Sequence, residues 1–212
     1  MRRAGVVLAG LVVGVMGAGR AEAQIAWETP MLIGPGAPGG FGIHLMEPWP
    51  GSELAVLGTY RTSPVPVGLG FRLGLGEEAD GDLAVFGGAD VAGSLMRATE
   101  EVPIDVLWFA GAGLGIGGDV LLSFPLGLSV GAILDADQVR FAPYVAPRVV
   151  LDACLGDDDP PGPGACFRGD DLDLDVAADL GLDLSFSPRW TIRFAATLGD
   201  REALLIGIAF PR

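Results

Sequence analysis

Residues 172–186 keep a strict two-residue alternation for fifteen positions. Even positions read Leu172, Leu174, Val176, Ala178, Leu180, Leu182, Leu184 and Phe186; odd positions read Asp173, Asp175, Ala177, Asp179, Gly181, Asp183 and Ser185. A period of two belongs to a β-strand, whose side chains point alternately to opposite faces. A strand in a soluble domain usually runs about five or six residues. A tilted strand that crosses a bilayer needs about nine to eleven. One face here is continuously apolar, and the other is acidic or very small.

The same pattern recurs along the chain. It appears at 65–75, 82–97, 103–117, 120–134, 139–152, 190–198 and 203–210. With 172–186 these make eight strands. Weaker alternation at 39–47 and 53–61 adds two more. The expectation is ten strands, with eight as the alternative. A hydropathy window would instead flag residues 106–134 as a membrane helix. Asp119 divides that run, and Gly111, Gly113, Gly115 and Gly117 alternate with Ala112, Leu114 and Ile116. Each such glycine would cost a helix about 1 kcal/mol. Most connections are short, which favours an antiparallel meander. The exception is Cys154–Asp171.

Glycine contributes 34 of 212 residues, against a usual share of about 7%. Acids outnumber bases 27 to 13, and every base is Arg. So acidic a chain lacks the basic surface that phosphate binding needs, which argues against nucleic acid as a partner. Half of the residues are hydrophobic, which excludes intrinsic disorder. Met1-Arg2-Arg3, the apolar run 4–18 and Ala21-Glu22-Ala23 fit a signal peptide over residues 1–23, cleaved before Gln24. Its removal takes away three Arg and one Glu and shifts the net charge from −14 to about −16. Residues 24–38 read as an N-terminal lead-in, and 39–212 as one β domain. Export makes a Cys154–Cys166 disulfide plausible.

The direction of the faces decides between barrel types. A sandwich turns its polar side to water. Here the polar side is mostly Gly, Ala and Ser, which suits the crowded interior of a small barrel. The apolar side would then face lipid, and closure would satisfy every backbone polar group. The fold class expected is all-β: an antiparallel up-and-down transmembrane β-barrel. Alternation turns Arg72, Arg140, Arg148 and Arg193 to the lumen, with Asp82, Asp90, Asp105, Asp152, Asp173, Asp175, Asp179 and Asp183. Lumen charges must be paired or hydrated. Arg148 and Arg193 are expected to pair with aspartates of 172–186. The acidic excess implies that any water-filled passage would favour cations. Trp49, Tyr60, Trp108, Trp190 and Phe210 lie where interfacial girdles form.

On the leader, the dyad repeats and the last strand, residues 39–210 resemble the small outer-membrane β-barrel proteins of Gram-negative bacteria, the class with eight- and ten-stranded barrels. The resemblance implies residence in the outer membrane, with its lipid as surroundings. It also implies that the barrel-assembly machinery reads a C-terminal signal, which Leu204, Ile206, Ile208 and Phe210 match; Pro211-Arg212 follow that signal. With both termini periplasmic, the Cys154–Asp171 loop falls on the outer side.

Signals for chemistry are weak. Gly113–Gly118 formally satisfies GxGxxG, but a strand follows rather than the helix that dinucleotide binding needs. Asp157-Asp158-Asp159 lacks EF-hand spacing, and Arg168-Gly169-Asp170 is a tripeptide of chance frequency. Two thiols and one histidine make no zinc site. No cofactor or metal is expected. The function expected is a structural or interaction role, or a narrow cation-favouring passage, without catalysis. The alternatives are a soluble, secreted calycin-like barrel holding a small apolar ligand, and a lipid-modifying enzyme using His44, the one histidine.

Overall fold

A computed structural model describes residues 29–47, 54–77, 83–116, 120–155 and 172–212. The expected leader, Trp49, Asp82, Asp119, the Asp157–Asp159 run, Cys166 and Arg168–Asp170 lie outside them.

The alternating segments form β1 (Gly40–Glu47), β2 (Ala55–Arg61), β3 (Leu69–Glu77), β4 (Leu83–Met96), β5 (Asp105–Ile116) and β6 (Val120–Gly131). They continue as β7 (Leu134–Ala136), β8 (Val139–Leu155), β9 (Leu172–Ser187), β10 (Trp190–Gly199) and β11 (Ala203–Pro211). All pairings are antiparallel and join chain neighbours, except that β6 pairs β8 past the three-residue β7 and that the first strand pairs the last. β1 pairs β11, from Gly40↔Pro211 to Glu47↔Leu204. The wall is therefore a closed, ten-stranded up-and-down barrel, as alternation predicts. Gly40, Pro211, Arg61 and Leu69 stand at one end, the near rim. Leu155 and Val120 stand at the other, the far rim.

The expected strand at 65–75 starts late, at Leu69. Pro64 and Pro66 have no N–H for a sheet ladder, and Gly68 has φ +99°. Val65 turns inward instead, and its N–H donates to the Ala37 carbonyl (3.0 Å).

The two faces differ in kind. Outward stand Phe41, Ile43, Leu73, Leu126, Leu174 and Ile206, all exposed, within a belt of large apolar side chains carried by every wall strand. Inward, the far half of the lumen is filled by Met46, Leu57, Phe86, Leu121, Val150 and Leu205, all buried. The expected interior, mostly glycine, alanine and serine, also holds large side chains: the small residues make room for larger ones across the ladder. Gly74 faces Phe86, Gly127 faces Phe109, Gly181 faces Tyr144 and Gly207 faces His44. A Cβ on any of the four would run into the facing side chain.

Residues 29–38, part of the expected lead-in, have a place that alternation does not give. Thr29 to Pro35 are buried inside the barrel, and the segment surfaces at Gly36 beside the near rim. It occupies the near half of the lumen.

Candidate functional site: the charged near half of the lumen

Burial of a charge is costly unless it is paired and hydrogen-bonded. Inside this barrel the pairing is extensive. Asp179 on β9 is the hub: its Oδ1 accepts from Arg148 Nε (3.2 Å) and from the Thr197 hydroxyl (2.8 Å), and its Oδ2 accepts from the Met31 backbone N–H (2.9 Å). Arg193 grips Asp183 with two parallel bonds, Nε to Oδ1 and Nη2 to Oδ2, both 2.9 Å. This is the fork geometry that makes arginine–carboxylate pairs strong. The expected pairing of Arg148 and Arg193 with aspartates of β9 is what is found.

Two further clusters lie inside the wall, one toward the near rim and one toward the far rim. Arg61 donates to Asp90, with Arg72 Nη2 at 3.9 Å from the same carboxylate. Arg201 donates to Asp152 and, through Nε, to Asp175 (3.0 Å). Alternation places Arg61 on the face of Leu57 and Thr59, a signal that the sequence carries. Arg201 sits in the β10–β11 turn, where period two says nothing.

Three of the expected lumen charges stand elsewhere. Arg140 has the right parity but lies at the near rim, where it pairs with Asp135 (2.9 Å) and its side chain is 59% exposed. Asp105 begins β5, and its carboxylate accepts from the Ala98 N–H (3.0 Å). Asp173 is half-buried near the start of β9 and accepts from the N–H of Leu174 (2.9 Å). Strand ends extend beyond the enclosed lumen, so parity alone does not bury a side chain. Among the described residues the enclosed charges are five aspartates (90, 152, 175, 179, 183) and five arginines (61, 72, 148, 193, 201). The acidic excess expected from sequence is absent there.

The arginines also hold the N-terminal segment. Arg72 donates to the Thr29 hydroxyl (2.8 Å), the Pro30 carbonyl (3.4 Å) and the Met31 carbonyl (2.9 Å). Arg148 Nη2 donates to the Thr29 carbonyl (3.4 Å), and Arg193 Nη2 to the Leu32 carbonyl (2.8 Å). No periodicity could have found this. The one hint is Met31-Leu32-Ile33, an apolar triplet within a Pro/Gly-rich stretch.

His44 is fully buried on the lumen side of β1, where Nε2 and the Thr59 hydroxyl are 3.0 Å apart. Its Nδ1 has no hydrogen-bond partner among the described residues. Cys154 lies near the end of β8, and the second sulfur of the expected disulfide is outside the described residues. Leu204, Ile206, Ile208 and Phe210 point outward from β11 in unbroken alternation. Among the described residues no group of His, Cys, Asp and Glu is arranged to hold a metal ion. Comparison with protein-family models, with curated proteins and with solved structures finds no match to this chain.

Proposed function

We propose that the protein is an integral outer-membrane β-barrel, exported with a cleaved leader, with a structural or interaction role and no catalysis. The observation that carries this reading is the direction of the faces. Large apolar side chains cover the outside of every wall strand, while ten charges are enclosed. In water such a belt far exceeds the apolar patch of an ordinary monomer. In a bilayer it is the surface that the lipid requires. The aromatics support the same reading. Tyr60, Trp108, Trp190 and Phe210 all lie toward the near-rim ends of their strands, where Phe41 packs on Tyr60 and Phe186 stacks on Trp190. Rings at this level suit a membrane–water interface.

The seated segment and the balance of lumen charges support a closed barrel over a narrow cation-favouring passage. His44 lies inside the wall with a threonine hydroxyl as its neighbour, away from outer lipid, which supports a non-catalytic reading. The second reading is a soluble calycin-like barrel, favoured by the large apolar side chains that turn inward at the far half, Met46, Phe86 and Leu205.

Membrane fractionation followed by gel mobility of unboiled and boiled samples tests the two. Protein that resists carbonate extraction and shifts on boiling supports the membrane barrel. Protein released by carbonate, with no shift, overturns it in favour of the soluble one.

A further inference from the structure

We propose that the near half of the lumen is a binding site for an extended, uncharged, apolar peptide. Residues 29–33 are its resident occupant, and a peptide of the same chemistry supplied in trans can take their place. The inference holds whether the barrel sits in lipid or in water.

The contacts carry it. Five hydrogen bonds reach the backbone of the segment: four carbonyls, of Thr29, Pro30, Met31 and Leu32, accept from Arg148, Arg72 and Arg193, and the Met31 N–H donates to Asp179. From the side chains of the segment, the Thr29 hydroxyl accepts a bond from Arg72 (2.8 Å). The lumen therefore reads peptide bonds, and charged groups make such bonds about twice as strong as neutral ones. The side chains of Met31, Leu32 and Ile33 are buried, so the seat also takes apolar residues. Leu32 is held at φ +56°, a conformation that a leucine adopts only when its surroundings over-determine it. The seat leaves a cavity of about 30 Å³ beside Leu32, bordered by Arg61, Asp90 and Arg193. The occupant precedes β1 in the chain, and the groups that grip it come from β3, β8, β9 and β10. Its entry is the near rim, where Gly36 is exposed.

A tethered segment has an effective concentration on the order of millimolar, so an added peptide competes poorly against the wild type. The full chain carrying Met31→Pro removes the N–H that Asp179 accepts and loosens the occupant. Two readouts follow. Proteolysis at Leu32–Ile33, read by mass spectrometry, reports release of the segment. Fluorescence anisotropy of a labelled decapeptide with the sequence of residues 29–38 reports binding in trans. The expected result is cleavage at least tenfold faster in Met31→Pro than in wild type. Saturable decapeptide binding to the variant should be at least tenfold tighter than to wild type. The decapeptide N-methylated at Met31 should bind at least tenfold more weakly. Faster cleavage without decapeptide binding overturns the proposal. So does unchanged cleavage, equal binding to both proteins, or equal binding of the methylated peptide.

Discussion

Asp179→Asn tests the hub of the lumen. The substitution keeps the shape and removes the charge. Asp179 accepts three hydrogen bonds, from Arg148, Thr197 and the Met31 backbone. An asparagine offers one carbonyl oxygen. If that oxygen keeps Arg148 and Thr197, its NH₂ faces the Met31 N–H, donor against donor. The Asp179 and Arg148 side chains are both 0% exposed, so water cannot take over the lost role. Removing one partner of a buried ion pair costs about 3–5 kcal/mol. The retained acceptor puts the expected loss near the lower bound, about 3 kcal/mol. The assay is equilibrium urea unfolding of the refolded barrel, followed by tryptophan fluorescence and gel mobility. The double variant Asp179→Asn/Arg148→Met removes both charges, and should be more stable than the two single losses added together by about 1 kcal/mol or more. A loss under about 0.5 kcal/mol for Asp179→Asn, the size of an ordinary surface change, would refute the hub. Strict additivity in the double variant would refute the coupling.

Other perturbations address the wall. Leu73 points outward from the middle of β3 and is 64% exposed. Leu73→Arg should destabilise a membrane barrel by about 2–4 kcal/mol in lipid vesicles, whereas on a soluble barrel it should stay within about 0.5 kcal/mol. Gly181→Ala would drive a methyl group into the Tyr144 ring, and should cost about 1–3 kcal/mol in urea unfolding. Tyr144→Ala in the same background should recover part of that loss. Asp137 holds φ +51° in the exposed β7–β8 turn, so Asp137→Gly should raise stability by up to about 1 kcal/mol; a loss would show that its side chain supports the turn.

Period two carried most of the wall. It marked β8, β9 and β11 nearly to the residue, because a strand with unlike faces writes its orientation directly into the sequence. It also turned Arg72, Arg148, Arg193, Asp90, Asp152, Asp175, Asp179 and Asp183 to the correct side. It failed where structure ceases to be periodic. Arg201 is in a turn, and residues 29–38 have no ladder partner to impose a pattern. It failed at the rims as well: Arg140 has inward parity but no wall around it. The content of the lumen was less legible than its orientation, since Phe86 and Leu57 share a face with polar residues. Their burial depends on which glycine stands across from them, and one strand read alone cannot show that.

Nine of the ten wall pairings join strands that lie close in the chain. The tenth, β1 with β11, joins residues 40–47 to residues 204–211. The ring therefore cannot shut until the last strand exists. Until then the sheet has two open margins, each a row of unpaired N–H and C=O groups able to template the wrong partner. Contacts of such sequence separation also form slowly. The final nine-residue strand is thus a latch, and a chain truncated before Ala203 would keep nearly all of its hairpins while remaining an open ribbon with no inside.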